Sequence, residues 1–566
     1  MGKPSSVQTF APRRARWILF CALTLATAAG RVHAIDDVPE GALRWIQGYD
    51  GNPPTPGFRV DGRLRIEAPD EPQPVGVQLE SGRIEVGPSG EILVQYGPGG
   101  SRFIQGDLVN DGLVSLKSVL LCNQDCAEWV NRGIIEASTY MGLGVTGKGA
   151  RFRQVSGEVR VADPSSRFEF YNQSQFIYEG GKVSARPLLV ASSARVDAPV
   201  TQDLALRFLG QDCRFEGSFP PDLSVTVASD ATYGPASLGL TNVSAIGGTL
   251  ELAAADGSPG VLLRFPESGA TLKPEGVLRV KPGGGISELQ GVLSVEGLLS
   301  VDGSARWTAA GRSVTNRGRI VLPAGGRLAT SAPLVQAAGT LEVDGGELGL
   351  SAGLSVDGGS LIAAGVISGN VTNAALSVVD QEQPARLRGD WTQTALGTLR
   401  VRVQPVAVSG GAALQVMGTL NLKGSLEVVL ADGVKLADGA ELRLIQADRM
   451  EGWFDRLILP SLENGLQWRV LPSDEEVRLG VRTTPSPLVI EWLQRDAGDR
   501  LRVSGPWSTG LKAVIRVSSD LKHWTTYQGL GPFAGLASFP VPLGAQPGPE
   551  GMTVYQAILV PVGSPD

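Results

Sequence analysis

The side chains that could do chemistry are few. Of two histidines in the 566-residue chain, His33 sits in the N-terminal leader and His523 stands beside Trp524. A Ser-His-Asp triad needs a positioned imidazole and a zinc site usually needs several Cys or His ligands, so His523 alone supports neither and is expected at a surface or edge. No P-loop, dinucleotide fingerprint or Gly-x-Ser-x-Gly elbow occurs in a strand-to-helix context. The thiols are Cys21, Cys122, Cys126 and Cys213. The close pair in Cys122-Asn-Gln-Asp-Cys126 has two readings, a local disulfide or half of a metal site. A second Cys or His pair is missing, and an oxidising compartment favours the disulfide, which leaves Cys213 free.

Carboxylates offer the other route to catalysis. A glycosidase needs two acids roughly 5 to 10 Å apart, and a lyase needs acids holding calcium beside a basic residue. The acids here are scattered through turns, and the one Asp-Asp pair, Asp36-Asp37, lies at the start of the expected mature chain. Arg388-Gly389-Asp390 spells the integrin tripeptide, for which chance is the better explanation in a chain of this length. Trp492, Trp507 and Trp524 suit either a sugar-stacking platform or core packing, and packing is favoured. Asn172, Asn242 and Asn370 open glycosylation sequons that matter only in a eukaryotic host. No catalytic residue, cofactor or metal is expected.

Residues 1–34 read as a cleavable signal peptide: Arg13, Arg14 and Arg16, then an apolar run Trp17 to Ala29, then Gly30-Arg-Val-His-Ala34, with cleavage after Ala34. The run is shorter than the roughly 20 residues that cross a bilayer. Cys21 lies behind Phe20, where a lipoprotein signal places a small residue, and the residues after Arg13-Arg14 depart from the twin-arginine pattern. Residues 1–34 hold five basic and no acidic side chains, so the rest sets 45 Lys+Arg against 57 Asp+Glu, a net charge of −12. That balance disfavours nucleic acid. No later segment reaches the length of an apolar span. Hydropathy alone leaves a transmembrane barrel open, but the Gly-rich repeats fit a solenoid better.

The chain holds 74 Gly, 37 Pro and short alternating Val and Leu runs, which is strand material punctuated by turns. Two echoes recur. Asn110-Asp-Gly112, Asn131-Arg-Gly133 and Asn316-Arg-Gly318 each place Asn-x-Gly ahead of a strand; both residue types tolerate positive φ, so the motif marks a repeated corner. Leu293-Ser-Val-Glu-Gly297, Leu299-Ser-Val-Asp-Gly303, Leu341-Glu-Val-Asp-Gly345 and Leu354-Ser-Val-Asp-Gly358 point a Leu-x-Val pair to one face and then turn. Their Asp residues read as turn formers rather than calcium ligands or catalytic acids, since tandem glycine-rich nonapeptides are absent. Imperfect repeats without helical periodicity predict an all-β chain, a right-handed parallel β-helix (solenoid), over a series of antiparallel sandwiches.

Residues 387–482 carry Leu387-Arg-Gly-Asp-Trp391, Gly397-Thr-Leu-Arg-Val401, Gly418-Thr-Leu-Asn-Leu422, Gly424-Ser-Leu-Glu-Val428, Phe454-Asp-Arg-Leu457, Leu459-Pro-Ser-Leu462 and Gly465-Leu-Gln-Trp468. This stretch resembles the closing coils of autotransporter-like β-helix repeat proteins of planctomycete and verrucomicrobial bacteria. After Thr483-Thr-Pro-Ser-Pro487, the runs Leu501–Pro506, Ala513–Leu521, Trp524 and Tyr555–Leu559 look like the small C-terminal β-sandwich of secreted verrucomicrobial proteins. That likeness implies an accessory or sorting module, and a bacterial source in which the sequons carry no sugar. The expected domains are a signal peptide 1–34, an N-terminal cap or leader region 35–80, a β-helix repeat domain 81–482 with closing coils 382–482, and a C-terminal β-sandwich module 488–566. The functional expectation is a secreted or cell-surface structural or adhesive solenoid whose partners are extracellular glycan or cell-envelope components. The runner-up is a polysaccharide lyase, glycosidase or carbohydrate-binding protein of the same fold.

Overall fold

A computed structural model describes residues 37–46, 49–67, 75–95, 102–138, 142–161, 167–184, 188–200, 203–229, 233–257, 260–404, 411–471, 473–483, 489–493, 500–504, 511–518, 525–532, 536–540 and 554–561. The described residues are all β, with no helix, and their parallel strands stack as a β-solenoid of about 14 turns. The chain divides into two compact units, residues 1–243 with 253–262, and residues 244–252 with 263–566. No helix among the described residues is long and apolar enough to cross a membrane.

In the first unit one sheet is a ladder of seven short strands, Leu43–Ile46, Arg63–Ile66, Glu91–Val94, Leu113–Leu116, Ile134–Ala137, Glu158–Val161 and Lys182–Ser184, each parallel to the next. Parallel pairing is present from Val38, which bridges Val60, inside the stretch expected to be a cap or leader region. Alternation does the sorting: Leu64 and Ile66 are fully buried while Arg63 is exposed and Arg65 half-buried. The centre is aromatic, with Phe152, Phe170 and Phe176 rings 5.4 to 6.2 Å apart. Fully burying side chains of this size contributes about 1.5–3 kcal/mol each, and stacking supplies the cover that one coil alone lacks.

The second unit repeats the scheme. Seven of its three-residue strands, Ala270–Leu272, Leu293–Val295, Val314–Asn316, Leu334–Gln336, Leu354–Val356, Val371–Asn373 and Trp391–Gln393, pair in order and in parallel. The four expected Leu-x-Val pairs all face inward, with none more than 3% exposed. Parallel pairing ends with Arg456–Ile458 against Ser425–Leu430 and, before it in the chain, with Glu441–Gly452. This strand is antiparallel to Glu476–Arg482, which in turn is antiparallel to Gln467–Leu471. Residues of the closing motif serve this end: Phe454 and Leu457 are buried, and Trp468 donates its indole N–H to the Pro460 carbonyl at 2.8 Å.

Beyond the solenoid come two three-stranded antiparallel sheets. One joins Val489–Leu493, Arg500–Ser504 and Leu536–Pro540; the other joins Thr525–Pro532, Leu511–Ser518 and Val554–Pro561. Both belong to the segment in which a sandwich is expected.

Candidate functional site

The Asn-x-Gly motifs mark corners, as expected, but for a different physical reason. Neither the asparagines nor the glycines of Asn110-Asp-Gly112, Asn131-Arg-Gly133 and Asn316-Arg-Gly318 have positive φ. Instead the asparagine side chain turns inward and is fully buried. Asn110 donates from Nδ2 to Asn131 Oδ1 at 2.8 Å, and Asn131 donates to Gln154 Oε1 at 2.8 Å. In the second unit Asn316 donates to Gln336 Oε1 at 2.5 Å and Asn373 to Gln393 Oε1 at 2.8 Å. Each partner lies 20 to 23 residues on, one coil away. Glycine is required at Gly133 and Gly318 because a Cβ there would be driven into the carbonyl oxygen of the glycine one coil below. The glutamines form a second class of corner, Gln-x-x-Gly. Gln154 donates to Ser156 O at 2.7 Å and Gln336 to Ala338 O at 2.5 Å, and here Gly157 and Gly339 do have positive φ, 67° and 65°.

The expected Cys122–Cys126 bridge is not formed, for both are free cysteines. Cys122 ends the strand Leu120–Cys122 on its inward alternation, while Cys126 sits at φ 59° in an exposed turn with its Sγ 3.9 Å from the Lys148 carbonyl. The turn thus points the two thiols different ways. Burial pushes the Cys122 thiol up to about 12 and does the same to Cys213, so neither is a nucleophile near neutrality.

The carboxylates have structural employment. Asp37, Asp107, Asp125, Asp390 and Asp455 each accept a backbone N–H more than 20 residues away, at 2.6 to 2.8 Å. On the outer faces acids pair with arginines one coil away, as in Arg63–Glu91 at 2.6 Å, Arg153–Glu179 at 2.9 Å, Arg319–Glu342 at 2.7 Å and Arg400–Glu427 at 2.8 Å. Glu158 is the most strongly held: a hydrogen bond from Arg160, then one from Ser184, lower its carboxyl to about 2. The turn acids Asp302 and Asp357 each accept the hydroxyl of a serine two residues before, Ser300 and Ser355. Among the described residues no three His, Cys, Asp or Glu side chains gather where a metal ion could sit.

Asp390 of the integrin-like tripeptide accepts the Thr419 N–H at 2.8 Å, and its own N–H donates to Asn370 Oδ1 at 3.0 Å, so this acid joins neighbouring coils. Of the sequon asparagines, Asn172 and Asn242 occupy positive-φ turns and Asn370 supports that corner. The leader 1–34, Asp36, His523, Trp507 and Trp524 lie outside the described residues, as does the side chain of Trp492.

One surface differs from this self-neutralised pattern. In the seven three-residue strands that pair from Ala270–Leu272 to Trp391–Gln393 the middle side chain faces outward, as does Asn421 of Leu414–Leu422. Register aligns Thr271, Ser294, Thr315, Val335, Ser355, Thr372, Thr392 and Asn421 into an uncharged row rising about 4.8 Å per coil. The row ends in an open recess of about 490 Å³ lined by Thr392, Gln393, Thr394, Asn421, Lys423 and Glu451, among others. Glu451 is neutralised by Arg449 at 2.7 Å. Gln393 is 1% exposed; its Oε1 accepts from Asn373 and, at 3.3 Å, from the Trp391 indole. Its Nε2 has no partner, and neither has Thr394 Oγ1, both buried atoms of residues that line the recess. The row and the recess gave no local motif to find, because they exist only once 20-residue coils are in register.

No family model matches the chain, and no curated protein matches it.

Proposed function

We propose that this is a structural or adhesive β-solenoid without catalytic activity, exported by its leader and acting outside the cytoplasm or on the cell surface. The observation that carries the reading is the positive use of its acids: turns and outer faces commit carboxylates to backbone N–H groups or to arginines of adjacent coils. A carboxylate held by an arginine or a backbone amide is a poor general acid or base, since either partner stabilises the charged form. Partners would be extracellular glycans or envelope components met along a side-chain row rather than in a deep pocket. The C-terminal sheets would form an accessory or sorting module, as their likeness to secreted verrucomicrobial modules implies. The test is fractionation of native cells together with glycan-array and lyase assays on the purified mature chain. Retention in the envelope fraction without sugar cleavage is expected. Release of unsaturated sugars would overturn the structural reading in favour of a glycan-active enzyme.

A further inference from the structure

The corner at Gln393 is built like the corner at Gln336 but leaves its donors unused. At Gln336 the amide nitrogen is satisfied by the carbonyl two residues on, at 2.5 Å. The loop Gln393-Thr-Ala-Leu-Gly397 is one residue longer than Gln336-Ala-Ala-Gly339, Gly397 lacks the positive φ of Gly339, and no carbonyl reaches Gln393 Nε2. A buried N–H without a partner is costly, and here a buried hydroxyl of the next residue, Thr394 Oγ1, is unpartnered as well. Both can donate. Lys423, which has no ion-pair partner among the described residues, is exposed on the wall of the same recess. Glu451, the acid of the lining, is already paired with Arg449.

Orphaned donors and a cation in one recess call for an anionic acceptor. The uncharged hydroxyl row leading to it offers hydrogen bonds without charge along a line several coils long. Resting on the surface-binding reading above, we propose that the recess at Gln393, Thr394 and Lys423 binds a carboxylate of an acidic polysaccharide whose chain lies along the Thr271–Asn421 row.

The test is calorimetric titration of the full chain with oligogalacturonate, with a neutral glucose oligomer and with a sulfated oligomer. Oligogalacturonate should bind, at least tenfold more tightly than either of the others, and should weaken with salt. Lys423→Ala should weaken it at least tenfold, whereas Lys435→Ala should leave it unchanged. Thr394→Val is the decisive variant: it removes an unpartnered hydroxyl, so thermal stability should stay level or rise while affinity falls severalfold. No binding, equal binding of the neutral or sulfated oligomer, or full affinity in Lys423→Ala and Thr394→Val would overturn the proposal. Cell-surface retention is scored in parallel, so loss of the recess alone is distinguishable from failure of the adhesive reading.

Discussion

Two corners of the second unit, at residues 316–339 and 373–397, use the same Asn-to-Gln hydrogen bond yet end differently. At Asn316–Gln336 every amide group named is paired: Gly318 N–H reaches Asn316 Oδ1 at 3.2 Å, Asn316 Nδ2 also reaches Thr340 O, and Gln336 closes its own turn. At Asn373–Gln393 one added residue lifts the turn carbonyl away, and Leu396 stands 84% exposed at its tip. A single residue of loop length thus separates a sealed corner from an open one. Loop closure itself changes little with one residue, so the difference lies in which hydrogen bonds geometry permits.

The largest break in this comparison should come from Asn316→Leu. It strands Gln336 Oε1 and takes one partner from Thr340 O and from Gly318 N–H, which keeps the Val295 carbonyl at 2.9 Å, so at about 1–3 kcal/mol for a buried unsatisfied group it should cost about 2–3 kcal/mol. Asn373→Leu should cost less, because Gln393 Oε1 keeps the Trp391 indole. Because coils of a solenoid open semi-independently, native-state hydrogen exchange of the strands 334–336 and 391–393 is the measurement. Equal costs at both corners would refute the contrast.

Loop length can be tested directly. Deleting Leu396 should let Gln393 Nε2 reach its turn carbonyl, raise local stability by about 1 kcal/mol and fill the recess; deleting Ala338 should lower it by about 2 kcal/mol. Urea protection of the two coils, read by pulse proteolysis, separates these signs. A smaller effect is expected from Gln336→Leu against Gln393→Leu. Each leaves an asparagine donor unpaired; the first also frees the Ala338 carbonyl, whereas the second frees the Trp391 indole N–H but removes the orphaned Nε2, so the first should be worse by a few tenths of a kcal/mol up to about 1 kcal/mol.

The smallest effect sharpens the contrast between inner corners and outer faces. Asn and Gln do not titrate, whereas Glu158 has its carboxyl lowered to about 2. A lowered carboxylate stabilises above its unfolded value near 4.5 and loses that contribution as pH falls through about 2. Exchange rates in the strand Glu158–Val161 should therefore rise between pH 4.5 and 2, modestly because the carboxylate is only partly buried and its arginine partner is exposed, and Glu158→Gln should remove this part of the pH dependence.

Period-2 alternation and the Leu-x-Val-Asp-Gly echo were enough to read the parallel solenoid and its buried face. Asn-x-Gly identified the corners but pointed to the wrong cause, since backbone tolerance of glycine is visible locally and a carbonyl one coil away is not. The Gln-x-x-Gly corners escaped because Gln has no local turn propensity; the signal was its spacing of 20 residues from an asparagine. The Cys122–Cys126 bridge failed on alternation, which aims a strand-ending thiol inward and a turn thiol outward. The open recess depends on which partners are lacking, a property of no single residue type.

The reversal of strand direction at Glu441–Gly452 has a consequence for assembly. Every parallel rung is a template on which another parallel rung crystallises in register, and a stack left that way is a growing end. Turning the last strands antiparallel changes the spacing of the hydrogen-bonding groups from even to alternating wide and narrow. A parallel coil arriving from a second molecule would find no matching lattice over Glu441–Gln446, where Glu476–Arg482 is seated. The hairpin of Gln467–Leu471 and Glu476–Arg482 thus works as a local chain terminator, blocking end-to-end addition along that stretch of the last coil.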